Sequence, residues 1–227
     1  MIDAAAPTAL VSRAARLFTR LGTQRMKEGY FTTFWLPLGA EPLQAAPPTA
    51  AAAANAAAIP AANSFEELAL ALLPHARAKA GPAAAQIAGL EWWLGRSYTN
   101  HVPLGFHFDL DVKGKGAVRY PLVSSVFFFN RVRGGQLAIT DQRPDARGRA
   151  VPQQPTRMEA IVPKPNRYVL FAGELFHGVL DANGHVPGKP LAVPPGRMRR
   201  TLVINYWAAR PSDVPAWGES RAYRVLR

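Results

Sequence analysis

Apolar side chains recur at helical spacing near the start of the chain. Between positions 9 and 28, the apolar residues that would share one face of a helix are Leu10, Val11, Ala14, Leu17, Phe18 and Leu21. Arg13, Arg16 and Arg20 would lie on the opposite face. This spacing predicts an amphipathic helix packed on the flank of a larger domain, although an arginine-rich, acid-poor segment is also typical of a mitochondrial transit peptide.

A second helix is predicted from residue 64 to about residue 79. Ser64 and Glu67 form a capping-box pattern at its start, and Gly81-Pro82 would end it. Before this helix, residues 45–62 are mostly alanine and are interrupted by three prolines. That composition predicts a flexible low-complexity linker or surface loop.

From residue 91 onward the pattern changes to short apolar runs separated by Gly, Pro and Asn. The runs cover residues 104–112, 122–130, 135–140, 167–172, 175–180 and 200–207. Short strands at this spacing are typical of an all-β sandwich or barrel. We therefore expect a single domain over residues 1–227, in which a helical part over 1–90 precedes a β core over 91–227.

Composition narrows the chemistry that this domain could perform. The chain has no cysteine, so a metal site would be built from His, Asp and Glu, and this composition suits a reducing cytoplasm. Lys and Arg outnumber Asp and Glu by 27 to 15, and the net charge of +12 would attract anionic substrates or partners. Because no zinc-finger, RNA-binding or recognition-helix pattern accompanies this charge, nucleic acid is the less favoured partner. No apolar run has the length of a membrane span.

One apolar segment carries polar residues at every second position. In GFHFDLDV, residues 105–112, His107 and Asp109 would lie on one face of a strand, because the side-chain period of a strand is two. Asp111 has the same parity, and we expect it at the solvent-exposed end. His177, in FAGELFHGVLD, would add a second imidazole. Two imidazoles and one carboxylate form the facial triad of non-haem Fe(II) oxygenases, whereas a lone His-x-Asp pair is more often structural.

Three further motifs follow the His-x-Asp pair in order. The segment GGQL (134–137) begins a strand, GELFH (173–177) ends one with a histidine, and RRT (199–201) opens the last one. The ordered set resembles the 2-oxoglutarate/Fe(II)-dependent oxygenase superfamily, and within it the prolyl-hydroxylase-like group, over residues 98–207. One departure is a Gly- and Pro-rich insertion, DANGHVPGKPLAVPPG, which lengthens the separation between the second and third of these motifs.

The resemblance implies a double-stranded β-helix, or jelly-roll, core flanked by helices. It also implies that His107, Asp109 and His177 bind Fe(II), with 2-oxoglutarate and O₂ as co-substrates. 2-Oxoglutarate would be converted to succinate and CO₂ while an unactivated C–H group of a small molecule or peptidyl amino acid is hydroxylated. Asp109 favours hydroxylation, desaturation or demethylation over halogenation, because halogenating relatives lack this carboxylate.

The far carboxylate of 2-oxoglutarate would pair with an arginine, whose planar guanidinium can bind it through two hydrogen bonds. The candidates are Arg197, Arg199 and Arg200. Strand parity groups Arg199 with Thr201, and it groups Arg200 with residues that should face the flanking helices. We therefore expect Arg199 and Thr201 to be the anchor. The other residues of the implied pocket are Phe128 and Leu137.

Two alternative functions stay open. A nucleic-acid dealkylating oxygenase on the same core is suggested by the net charge of +12, and it would bind oligonucleotides with a steep salt dependence. A non-catalytic, cupin-like binding protein is disfavoured by Asp109, because cupins usually have a His-x-His pair at this place.

Overall fold

The structure is a computed structural model. It describes residues 1–21, 32–39, 61–97, 105–113, 117–186 and 198–220. The alanine-rich stretch predicted to be a linker, residues 45–62, lies outside the described residues except for its last two positions. Arg197 also lies outside them.

The described N-terminal part contains two α-helices, α1 (Thr8–Arg20) and α2 (Ser64–Ala80), and a 3-10 helix (Gly81–Gln86) follows α2. Helix α1 buries Leu10, Ala14 and Phe18, as the apolar spacing predicts. Residues 22–28, the last part of the helix predicted there, lie outside the described residues. Within the described ranges, no helix has the length and apolar character needed to cross a membrane.

Helix α2 is capped by Asn63. The side-chain oxygen of Asn63 accepts hydrogen bonds from the backbone N–H groups of Phe65 and Glu66, at 2.9 and 3.1 Å. These two donors are among the groups that a helix start leaves without an intrahelical partner. The capping box predicted on Ser64 and Glu67 is therefore wrong, because the residue one position earlier already satisfies the first turn.

Thirteen strands form in the described part of the chain. They are β1 (Ile2–Asp3), β2 (Phe34–Pro37), β3 (Gly89–Ser97), β4 (Asp111–Lys113), β5 (Ala117–Arg119), β6 (Val123–Phe128), β7 (Gln136–Thr140), β8 (Arg143–Pro144), β9 (Ala150–Val151), β10 (Met158–Ile161), β11 (Arg167–Ala172), β12 (His177–Leu180) and β13 (Arg199–Trp207).

Two facing sheets make up the core. The large sheet has the order β1-β11-β6-β13-β3-β2, and the small sheet has the order β10-β7-β12. His107 extends the small sheet through a β-bridge to His177. Two further pairs, β4-β5 and β8-β9, form separate two-stranded sheets. The remaining segments from β3 to β13, with the His107 bridge counted as one, lie in the sheets in the order large, small, large, small, small, large, small, large, which is the winding of a double-stranded β-helix. The predicted mainly β, jelly-roll class with flanking helices is confirmed.

The N-terminal part also contributes strands to the core. β1 pairs with β11, and β2 pairs with β3 at the opposite edge of the large sheet. The apolar pattern did not predict them, because two and four residues are too few to display an alternation. The residues before position 91 thus supply edge strands as well as helices.

The large sheet has two chemically different faces. Its outer face packs on the helices, where the Phe18 ring lies 6.1 Å from the Phe65 ring and 5.6 Å from the Phe129 ring, measured between centroids. Burying one such side chain contributes about 1.5–3 kcal/mol. The inner face and the small sheet enclose a second apolar cluster, which contains Val126, Phe128, Leu137, Ile161, Val169 and Phe171. The candidate site lies on the inner face.

Candidate metal centre

Backbone pairing brings the two histidines of the predicted triad together. The N–H of His107 donates to the carbonyl of His177 at 2.8 Å, and the N–H of His177 donates to the carbonyl of His107 at 3.0 Å. The ring centroids are 4.5 Å apart. Directly opposed residues of a β pair point to the same face, so both imidazoles lie on one side of the small sheet.

Asp109 lies between the two imidazoles. Its Oδ1 is 3.7 Å from His107 Nε2, and its Oδ2 is 3.6 Å from His177 Nε2. One ligand atom from each of the three residues lies within 4.8 Å of the others. Within the part of the chain that the structure describes, this is the one group of three or more His, Cys, Asp or Glu side chains that could hold a metal ion.

Each histidine is oriented by a carbonyl of its own segment. His107 Nδ1 lies 2.9 Å from the carbonyl oxygen of Gly105, and His177 Nδ1 lies 2.9 Å from that of Leu175. A carbonyl oxygen can only accept, so each Nδ1 carries the proton. In a neutral imidazole the other ring nitrogen then keeps a free lone pair, and here both Nε2 atoms are directed toward Asp109, which is the arrangement typical of histidines that bind a metal.

The centre is buried on one side and open on the other. The side chains of His177 and Asp109 are each 8% exposed, whereas that of His107 is 45% exposed. Burial lowers the pKa of the His177 imidazole, which favours the neutral form that coordinates metals. A ligand could therefore approach from the His107 side, while the opposite side is closed by the core.

Sequence reasoning did not identify a buried serine that contacts the triad. Ser124, on β6, donates its hydroxyl to Asp109 Oδ2 at 2.9 Å. The only sequence signal is the pair Ser124-Ser125 within the mostly apolar run 122–130, and it does not distinguish the two serines. Its partner could not be inferred from the sequence, because the contact joins two different sheets.

The position predicted for Asp111 is wrong. Asp111 is buried rather than at a solvent-exposed strand end, since it accepts hydrogen bonds from Arg119 Nε at 3.0 Å and from the backbone N–H of Ser212 at 2.9 Å. The Arg119 guanidinium also forms an ion pair with this carboxylate. These contacts hold Asp111, which ends the segment that carries His107 and Asp109, against the residues that follow β13.

The predicted 2-oxoglutarate anchor lies on the inner face at the start of β13. Arg199 is 3% exposed, and its Cζ atom is 5.0 Å from the centre of the Phe128 ring. Thr201 donates its hydroxyl to the carbonyl of Gly95 at 3.2 Å. A Cβ atom at position 95 would come within 2.2 Å of Thr201 Oγ1, so the missing side chain of Gly95 makes the space that this hydroxyl occupies. Leu137 packs in the same inner cluster as Phe128.

Arg200 points to the opposite face of the same strand. Its Nη1 donates to Thr19 Oγ1 of α1 at 3.1 Å, and its Cζ is 5.9 Å from the Phe18 ring centre. The strand parity predicted this separation, since Arg200 alternates with Arg199 along β13. Arg200 is therefore directed toward the helices.

The residues present fit Fe(II). Two imidazoles and one carboxylate, grouped on one side of a site with an open approach, are the donor set that suits non-haem Fe(II). The chain has no thiol that could compete for the metal.

Comparison with known proteins finds similarity among solved structures. No family model and no curated protein matches the chain. A prolyl-4-hydroxylase from Pseudomonas putida is 20% identical, with a TM-score of 0.45, over 92% of this chain and 91% of that one. A 2OG-Fe(II) oxygenase family oxidoreductase from Burkholderia pseudomallei is 14% identical, with a TM-score of 0.42, over 95% and 86%. An N-substituted L-amino acid dioxygenase from Burkholderia ambifaria is 13% identical, with a TM-score of 0.32, over 50% and 47%.

The superfamily that the motifs resemble thus reappears in the names of these similar structures. With TM-scores below 0.5, the likenesses carry no weight in assigning a reaction to this chain. The assignment of a reaction rests on the chain's own residues.

Proposed function

We propose that this chain is a non-haem Fe(II)/2-oxoglutarate-dependent dioxygenase that hydroxylates an unactivated C–H group of a small molecule or a peptidyl amino acid. The observation that carries the proposal is the convergence of His107 Nε2, His177 Nε2 and the Asp109 carboxylate, with both Nδ1 atoms held by carbonyls. This donor set suits an Fe(II) ion that keeps coordination positions open for a co-substrate and O₂.

His107, Asp109 and His177 would hold the iron. Iron held in this way would activate O₂. The conversion of 2-oxoglutarate to succinate and CO₂ would thereby be coupled to the conversion of substrate C–H to C–OH. One oxygen atom of O₂ enters succinate and the other enters the product, so the reaction balances without a further reductant. The three side chains remain unchanged after each turnover.

Arg199 and Thr201 would bind the far carboxylate of 2-oxoglutarate. The buried guanidinium of Arg199 offers a planar pair of donors, and the Thr201 hydroxyl lies on the same face of β13. Phe128 and Leu137 would line the apolar middle of the co-substrate pocket, because both belong to the cluster between the sheets. Burial there would exclude water from the ion pair between the Arg199 guanidinium and the carboxylate of 2-oxoglutarate, which would strengthen their hydrogen bonds.

The substrate would enter beside His107, the exposed member of the triad. The net charge of +12 favours an anionic substrate, because the field of the whole protein raises the local concentration of anions. The carboxylate of Asp109 favours hydroxylation over halogenation, since it occupies the place where a halide would bind.

Succinate formation tests the proposal. We expect His107→Ala, Asp109→Ala and His177→Ala each to abolish succinate formation in air with Fe(II), 2-oxoglutarate and a panel of amino acids and peptides. Each change removes one of three iron ligands. The exposed His185 provides a matched control, and His185→Ala should keep wild-type turnover. Circular dichroism would confirm that every variant is folded. Wild-type turnover by folded His177→Ala would contradict the proposal.

A further inference from the structure

A row of polar side chains crosses the inner face of the large sheet beside the candidate metal centre. Trp35, Glu91, Asn205 and Ser124 lie opposite one another on β2, β3, β13 and β6. All four residues are buried. Because directly paired residues share a face of the sheet, they form one continuous row. The row continues into the apolar Phe171 of β11, which pairs with Ser124.

This row contacts two members of the triad. The Ser124 hydroxyl donates to Asp109 Oδ2 at 2.9 Å, and the Phe171 ring lies 4.8 Å from the His177 ring, measured between centroids. A hydrogen bond to a carboxylate is stronger than one between neutral groups, and it fixes the orientation of the acceptor. Ser124 therefore restrains the plane of the Asp109 carboxylate.

The polar character of the row is costly for the fold. Asn205 Oδ1 is buried and has no hydrogen-bond partner among the described residues. Glu91 accepts a hydrogen bond from Trp207 Nε1 at 3.0 Å, and burial raises the pKa of its carboxyl to about 7. Burying a polar group costs free energy unless the group is fully paired, so an apolar row would stabilise the core better. The polar row is therefore better explained by the site than by packing.

We propose that Ser124 is a positioning residue that orients Asp109 for metal binding. This inference rests on the proposed function, because it assumes that Asp109 is a metal ligand. Residues that hold a metal ligand through a hydrogen bond typically contribute about 10- to 100-fold to metal affinity. Ser124 thus links the large sheet to Asp109, the metal ligand that follows His107 in the segment before β4.

Ser125 provides a matched control. Ser125 is as fully buried as Ser124, but its hydroxyl donates to the carbonyl of Ile204 at 2.7 Å and accepts from the Tyr168 hydroxyl at 2.9 Å. Successive residues of a strand point to opposite faces, so Ser125 is directed away from the triad. Ser124→Ala and Ser125→Ala each remove one buried hydroxyl from the same strand.

The test is a titration of the metal-free protein with Mn(II). The electron paramagnetic resonance signal of free Mn(II) reports how much of the metal is unbound at each point. No 2-oxoglutarate or O₂ is needed, so the result does not depend on turnover. We expect Ser124→Ala to raise the Mn(II) Kd by about 10- to 100-fold, Ser125→Ala to leave it near the wild-type value, and Ser124→Thr to keep most of the affinity through its hydroxyl.

Two results would overturn the inference while leaving the proposed function intact. One is wild-type Mn(II) affinity in Ser124→Ala, and the other is an equal loss in both alanine variants, which would indicate a general effect on the sheet. If the folded wild-type protein bound neither Mn(II) nor Fe(II), the metal centre itself would be wrong, and the role of Ser124 would fall with it.

Discussion

Each histidine of the candidate centre is oriented by its own backbone. The Nδ1 bonds of His107 and His177 run to the carbonyls of Gly105 and Leu175, in each case two residues earlier in the chain. Flipping either ring would break this bond and turn Nε2 away from Asp109. The two nitrogens are therefore preorganised for a metal, which reduces the free energy needed to order them on binding.

Substitutions of Arg199 and of Arg200 should affect the binding of 2-oxoglutarate differently. We expect Arg199→Ala to raise the half-saturation concentration of 2-oxoglutarate about 10- to 100-fold, because a charge-assisted hydrogen bond is worth about 1.5–3 kcal/mol. Arg200→Ala should change it little, since that guanidinium contacts Thr19 of α1. Steady-state succinate formation at varied 2-oxoglutarate concentration measures both values. The reverse pattern would assign the anchor to Arg200.

Glu91 should make stability depend on pH. Burial raises its pKa from an ordinary 4.5 to about 7. Between these pH values the folded protein binds a proton that the unfolded chain has released, so the free energy of unfolding falls as pH rises. We expect the metal-free wild type to lose on the order of 3 kcal/mol relative to Glu91→Gln across this interval.

Urea unfolding at several pH values measures this difference. Glu67→Gln is the control for the loss of a carboxylate, because the side chain of Glu67 is 42% exposed and is paired with Arg13. A pH-independent difference between wild type and Glu91→Gln would show that folding does not shift the pKa of Glu91.

Residues whose role follows from local periodicity could be predicted from the sequence. The opposite faces of Arg199 and Arg200 follow from the two-residue period of a strand. The same period predicted that His107 and Asp109 would lie together, and the structure brings them together although residues 108–110 are not part of a strand. Ser124 could not be predicted to contact Asp109, because that contact depends on how the two sheets face each other.

At the scale of elements, the start of α2 is set by Asn63. We expect Asn63→Ala to lower the free energy of unfolding by about 0.5–2 kcal/mol, because it removes the acceptor for two N–H groups of the first turn. Ser64→Ala is the matched control and should change stability less, since Ser64 follows the cap. Chemical denaturation measures both. A larger loss of stability in Ser64→Ala than in Asn63→Ala would indicate that Ser64 caps the helix, as the sequence pattern predicted.

The strands that the sequence analysis missed include β3, a nine-residue strand of the large sheet, and several short or exposed strands. The short and exposed ones have physical explanations. β10 exposes three of its four residues, so its composition carries no apolar run. β1 and β2 are edge strands of two and four residues, and their pairing partners β11 and β3 lie far away in the chain. The long runs that became β6, β11 and β13 were predictable because both sides of these strands are covered, by helices on one face and by the small sheet on the other.

At the scale of the whole molecule, the jelly-roll winding explains how distant residues form one centre. His107 and His177 meet because the segment before β4 pairs with β12, while Arg199 reaches the same interior from β13 of the facing sheet. The net charge of +12 gives the whole molecule a field that favours anions. A dicarboxylate co-substrate would suit both the buried Arg199 and the positive net charge.

Anaerobic assembly of the Fe(II)/2-oxoglutarate complex tests the central claim most directly. Without O₂ there is no turnover, and chelation of iron by the keto acid gives a visible charge-transfer band. We predict that the band appears in the wild-type protein and is absent in His177→Ala, and that succinate, which lacks the keto group, produces no band. Folded wild-type protein that shows no band with Fe(II) and 2-oxoglutarate would contradict the account.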